Sequence, residues 1–251
     1  MRYINKVEEG KFRESMKKFV FQAILLALSL CASAQEGINR GTFGKLDLSE
    51  SLTYRVETQA SASDGKTPLW LNANKHGLSS LKEWNGYVRG AVIRPVRQDS
   101  ARRWGVGYGI DVAVPTGYTS HVVVQQAYAE VRWLRGLLSV GAKEYPLELK
   151  NNRLSSGSQT LGINARPVPQ VRLALPEYWT LPFGGGWLHM KAHVAYGVMT
   201  DQSWQHEFTD RRSKYADGVL YHSKAGYLKI GNEEKPHFVG IGIGDGSTVR
   251  W

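Results

Sequence analysis

The chain is 251 residues long, 42% hydrophobic and 22% charged, with a formal net charge of +10 and a single cysteine. One cysteine excludes a disulfide framework, and the length suits a single domain. Beyond residue 34 no stretch is apolar and long enough for a membrane helix, which needs about 20 residues, so closed β-structure is the only way left across a bilayer.

Residues 1–15 read as an upstream extension, and Met16 as the start of a secretory signal over residues 16–34, MKKFVFQAILLALSLCASA. Lys17 and Lys18 form its basic end, residues 19–30 its apolar run, and Ala32, Ser33 and Ala34 a small-residue cleavage site. Cys31 lies inside the signal, and Leu30 before it is not the small residue that a lipoprotein site requires. Removing residues 1–34 takes six Lys/Arg and three Asp/Glu from the totals of 32 and 22, leaving 26 against 19. In an exported chain that positive excess points to lipid headgroups or an acidic polysaccharide, and not to nucleic acid.

Leu52, Tyr54 and Val56 give a first short alternation. Residues 67–84, TPLWLNANKHGLSSLKEW, read as irregular or helical, opened by Pro68 and broken at Gly77. A strand is expected over 87–93, a charged turn over 94–103, and a long strand over 104–115, WGVGYGIDVAVP. There Trp104, Val106, Tyr108, Ile110, Val112 and Val114 alternate with Gly105, Gly107, Gly109, Asp111 and Ala113. Because successive strand side chains point to opposite faces, one face is wholly apolar and the other small or polar.

Residues 121–134 and 138–143 read as a hairpin around Arg135 and Gly136, with Gln126, Tyr128, Glu130 and Arg132 on its polar face. Residues 144–179 break the rhythm with prolines at 146, 167, 169 and 176 and a polar middle, and only 171–175 looks like a strand. The stretch reads as a folded insertion. Residues 187–200 restore the alternation, with His189, Lys191 and His193 facing away from Leu188, Met190, Val194 and Tyr196. Residues 220–230 form a weaker strand whose apolar phase shifts, suggesting a bulge, and 238–244 is Gly-rich.

The expected fold is all-β: an antiparallel transmembrane β-barrel, partial at about nine strands, with a helical or irregular insertion in its lumen. The competing fold is a periplasmic β-sandwich. Charges opposite an apolar face argue against a packed sandwich core.

His189 and His193 would be a metal pair on a helix, but on a strand they lie about 13 Å apart, so no metal site is expected. Gly240–Gly246 lacks the following helix and lysine of a phosphate loop. His222 and Ser223 are adjacent on a strand and point to opposite faces, so they cannot act as base and nucleophile. Glu144, Glu148 and Glu177 are the carboxylates from which a glycoside-cleaving pair would have to come. The remaining polar signal lies in two non-strand blocks. One holds Trp70, Asn72, Asn74, Lys75 and His76; the other runs from Lys143 to Arg166. Amides, cations and aromatic rings in such blocks suit a sugar surface, or a plug that merely satisfies its own backbone.

Residues 67–81 (TPLWLNANKHGLSSL), 140–179 (VGAKEYPLELKNNRLSSGSQTLGINARPVPQVRLALPEYW) and 221–234 (YHSKAGYLKIGNEE) resemble the Wzi-type capsule assembly family of Gram-negative outer membranes. The resemblance implies an outer-membrane barrel of about eighteen strands. It also implies a lectin-like role without catalysis or cofactor, anchoring capsular or exopolysaccharide at the cell surface; the signal read above gives Sec-type export with cleavage after Ala34. Family members are about twice as long, so residues 35–234 are expected to be an N-terminal half-barrel and 235–251 a divergent tail. The implied partners are an acidic capsular polysaccharide, outer-membrane lipid and the polysaccharide export machinery. A passive or sugar-selective porin is the alternative. If the family role holds, Arg153 and Arg166 would pair with glycan carboxylates or phosphates. Trp70 and Trp179 would then stack on sugars, and Asn72, Lys75 and Lys143 would complete the grip.

Overall fold

The computed structural model describes residues 48, 51–65, 67–78, 80–96, 103–118, 120–146, 163–200, 218–231 and 238–249. The expected signal at 16–34 and the middle of the insertion, with Glu148 and Arg153, lie outside the described residues. Nine strands form one antiparallel sheet in sequence order. They are β1 (Thr53–Ala62), β2 (Trp84–Arg94), β3 (Trp104–Thr116), β4 (Val123–Trp133), β5 (Gly136–Ala142), β6 (Gln170–Thr180), β7 (Leu188–Val198), β8 (Leu220–Gly231) and β9 (Phe238–Val249). Each strand pairs only with its sequence neighbours, and β1 and β9 do not pair with one another among the described residues. The only helical element among those residues is a single 3-10 turn, Leu69–Asn72, entered from Pro68. The insertion is irregular where described, not helical.

The register carries the alternation of β3 across the sheet. Val88, Val114 and Thr58 share one face, as do Ile110, Val92 and Ala127, and Val194, Leu173 and Lys224. The opposite face presents Arg55, Glu57, Arg89, Asp111, Gln126, Glu130, Arg172, His189, Lys191 and His193. Burial runs against the usual order for a protein in water. Asp111, Arg89, Glu130 and His189 are buried, while Ile110, Val114, Tyr196, Ile241 and Ile243 are exposed. No second sheet covers the apolar face among the described residues, so the two-sheet core of a sandwich is not formed.

Three strands differ from their sequence reading. β6 continues past Leu175 because an irregularity absorbs Pro176, and pairing with β7 resumes at Trp179. In β8 no bulge occurs: its register with β7 is unbroken from Leu220 to Ile230. The apolar phase shift there is real, and it leaves Lys224 on the apolar face opposite Val194, with His222 stacked on Tyr196 at 5.9 Å. β9 extends through the glycines to Val249, paired with β8 along its whole length.

The meander sorts its connections. Those over 95–103, 134–135, 181–187 and 232–237 leave one end of the sheet and are short; those over 63–83, 117–122, 143–169 and 199–219 leave the other and are mostly long. Tyr54, Trp104 and Trp133 stand on the apolar face near the short-connection end, and Trp84 and Tyr196 near the long one.

Candidate functional site

The polar face of β1–β4 is held by an ionic network. Buried Asp111 accepts from Arg55 at 2.7 Å, Arg89 at 2.5 Å and Gln126 at 3.0 Å. Arg89 also donates to Glu144, 3.1 Å to each carboxylate oxygen, and Gln125 donates to Glu144 at 2.9 Å. The residues that bring these groups together sit at matching register positions, Ala91 opposite both Arg55 and Asp111, and Glu57 opposite Arg89. Gln125 is the extra residue of a β4 bulge between the pairs Asp111–Gln126 and Val112–Val124. Buried charges of opposite sign, hydrogen-bonded to one another, avoid the cost of an isolated buried ion.

Over this network the two polar blocks meet. The backbone N–H of His76 donates to the Ile163 carbonyl at 2.8 Å, and that of Asn74 to Asn164 Oδ1 at 2.7 Å. Gln125 Nε2 donates to the His76 carbonyl at 3.0 Å, and Tyr118 Oη to the Gly77 carbonyl at 2.7 Å. Leu78 packs on Tyr87, Ala113 and Val123, with Tyr118 against the cluster. Gly77 has φ +75°, and a Cβ there would meet the Arg166 backbone and side chain at 2.8 Å. Glycine is thus needed both for the turn and for the close approach. At the foot of the first block, Thr67 Oγ1 donates to the Lys82 carbonyl at 2.7 Å and accepts from Asn85 at 3.1 Å.

Burial shifts the groups in this junction. It lowers His76 from its ordinary value, opposed by Glu144 at 3.9 Å. It raises the Tyr118 phenol and lowers the Arg166 guanidinium. Arg166 donates to the Val124 carbonyl at 3.0 Å, its Nε has no hydrogen-bond partner, and it makes no ion pair among the described residues. Glu144 is met instead by Arg89, Arg55 and His76.

Of the residues expected to grip a glycan, the structure gathers the first block and Arg166. Trp70 is 73% exposed on the 3-10 turn that Asn72 closes. The Lys75 carbonyl accepts from the Leu78 N–H in the turn that follows. Lys143 lies on the polar face, bonded to Glu130 at 2.6 Å. Trp179 is not brought to them: it pairs with Met190 and therefore stands on the apolar face.

Sequence reasoning did not single out a second polar-face cluster, whose members lie on different strands and are aligned only by register. Lys143 Nζ lies 4.7 Å from the Tyr128 ring centroid, and Arg172 lies 4.4 Å from that of Tyr145. Lys191 lies 5.5 Å from the ring of Tyr227, and Lys229 6.0 Å from that of Tyr178. His189 is held between Thr180 Oγ1 and the Gly231 carbonyl, at 2.9 Å each. His193 bonds Ser223 at 3.0 Å, and His222 faces the other way. Ser223 is 3% exposed, so this pair reads as a cross-strand pin and not as an accessible nucleophile with its base.

No protein-family model, curated protein or solved structure matches this chain. Fold and site together define an all-β protein with a single nine-stranded antiparallel sheet, ionic on one face and apolar on the other.

Proposed function

We propose that the chain forms wall strands of an outer-membrane β-barrel and holds an acidic surface polysaccharide at the end bearing the long connections. This is the role of the capsule-assembly proteins that its sequence resembles. One observation carries the reading: the sheet is inverted, with its charges buried on one face and its large apolar side chains exposed on the other. Water rewards the opposite arrangement; lipid outside and a polar interior reward this one. The dimensions agree. From Trp104 to Val114 the strand advances about 34 Å, which at a tilt of about 40° spans about 26 Å, against an apolar band of about 25 Å. Short connections at one end and long ones at the other match the periplasmic and outer sides of such barrels.

Arg166 supports the glycan part of the reading. It is a half-buried guanidinium beside the first polar block, without an ion pair among the described residues, and guanidinium binds carboxylates bidentately. The junction of the two blocks covers polar face at the long-connection end, which favours a binder over an open porin.

The test uses the full chain. It is expected in the outer-membrane fraction and, once solubilised in detergent, to bind immobilised alginate, a polyuronate. Arg166→Gln should weaken alginate binding while the protein keeps its membrane association. Recovery of the chain in the soluble fraction, or alginate binding unchanged by Arg166→Gln, would overturn the corresponding half of the proposal. Large, steady open-channel currents in planar bilayers would favour the porin.

A further inference from the structure

Residues 73–78 are built as a lid. The stems below them are fixed to the wall just beyond the β1–β2 ladder, where the Ser63 N–H donates to the Glu83 carbonyl at 2.9 Å and the Thr67 N–H to the Leu81 carbonyl at 3.1 Å. The tip is held differently. Asn74 and His76 both take the left-handed backbone, at φ +60° and +50°, which non-glycine residues adopt only at a cost. The bonds that hold the tip down come from other segments: Ile163 and Asn164 before β6, Gln125 on β4, and Tyr118 before it. Each is a single hydrogen bond between neutral groups. Such a tip can open locally while the wall stays paired.

His76 sits in the middle of the tip, above the ionic network. The charged groups that face it are Glu144 from the segment after β5, Arg89 from β2, and Arg55 and Glu57 from β1. On the other flank Arg166 lies against Gly77. Glu144 Oε2 is 3.9 Å from His76 Nε2, but this carboxylate already accepts from Arg89 and Gln125. A proton added to His76 would therefore make a half-buried cation that faces two guanidiniums and a carboxylate already engaged.

We propose that residues 73–78 form a pH-released lid: neutral His76 lets the tip dock on the polar face of β2–β4, and protonation of His76 lifts it off the Arg89–Asp111–Glu144 network. The direction follows from linkage. Burial holds His76 below its ordinary 6.5, with Glu144 opposing and Arg89 and Arg55 adding to the shift. The docked tip favours the neutral ring and the open tip favours the cation. Docking is thus full above about pH 6.5 and is lost as the pH falls from there toward the docked value. The lid stands apart from the polysaccharide reading, since it depends only on what touches His76.

Amide hydrogen exchange of the detergent-solubilised full chain, corrected for the intrinsic pH dependence of exchange, tests the lid. The comparison is between about pH 7.5 and about pH 5.5, above the ordinary carboxylate range. The reporter is the peptide carrying the bonded N–H groups of Asn74, His76 and Leu78. Its protection should fall several-fold, at most about tenfold, the limit for one proton over one unit below 6.5. Strands β3 and β4 should keep theirs. In His76→Asn, neutral throughout and tolerant of the left-handed backbone, protection should be the same at both pH values. Should that variant leave the tip open, His76→Gln takes its place. Tyr118→Phe, which lacks the bond to the Gly77 carbonyl, should lower protection at both pH values without changing their ratio. Wild-type protection unchanged by pH, a fall that survives without histidine at position 76, or a fall shared by β3 and β4 would overturn the proposal.

Discussion

Asp111 sits between Ile110 and Val112 in the most apolar strand of the chain, yet its carboxylate is wholly buried and accepts from three side chains. Removing it would leave Arg89, also buried, with one fewer counter-charge in a place water does not reach. Breaking a buried pair in this way costs about 3–5 kcal/mol, so Asp111→Ala should lower the urea midpoint of the folded chain strongly. Arg55→Ala should do much less, because the Arg55 side chain is 40% exposed and solvent screens its part of the bond. Equal, small shifts for both variants would show that the network is a consequence of the fold and not a support for it. In the sequence, Asp111 was visible only as one of the small or polar residues of an alternating strand. Its partners lie on β1, β2 and β4, and nothing local to residue 111 names them.

At the scale of the strand, the exposure of Ile110 offers a test of what surrounds the sheet. Ile110 is 54% exposed and lies between Trp104 and Val114. In water an exposed isoleucine can become arginine at almost no cost, within about 0.5 kcal/mol. In lipid, near the midplane, the same change should cost about 2–4 kcal/mol. Ile110→Arg should therefore destabilise the folded chain in lipid vesicles by that amount, whereas Gly240→Lys on the polar face should be mild. A neutral Ile110→Arg would remove lipid from that face. The alternation that makes this test possible was legible in residues 104–115 and 187–200, because a period of two needs no partner to be seen. The β4 bulge at Gln125 and the irregularity around Pro176 were not, since each appears only against the neighbouring strand. Lys224 and His222 on the apolar face are the residues least at home there. Both lie in the half of β8 nearer the long connections, where, under the proposed membrane reading, a lysine stem would carry its charge outward to headgroups.

Across the whole sheet, the sorting of connections gives the proposed membrane reading an orientation to test. In a Cys31→Ser background, a cysteine placed at exposed Trp70 would lie on the long-connection side, and one at exposed Arg135 in the short turn between β4 and β5. A membrane-impermeant maleimide should label Trp70→Cys on intact cells, and Arg135→Cys only after the outer membrane is opened. The reverse pattern would invert the orientation and move the polysaccharide site to the periplasmic side. The two blocks were legible as polar, non-strand segments; their meeting through His76, Asn74, Ile163 and Asn164 was not, because it spans 90 residues of sequence between Asn74 and Asn164.

The strict neighbour-to-neighbour order of the strands also sets a sequence of assembly. Every ladder joins segments adjacent in the chain, so each hairpin can form without waiting for a distant partner, and the tight turn between β4 and β5 offers the shortest loop to close. The cover formed by residues 73–78 is different. Its anchors are Gln125, Tyr118 and the backbone around Ile163, which belong to β4, the connection before it and the connection before β6. It can dock only after those pieces stand in place. The cover is therefore expected to follow β4 and the connection before β6, whereas nothing among these anchors makes it wait for β6–β9.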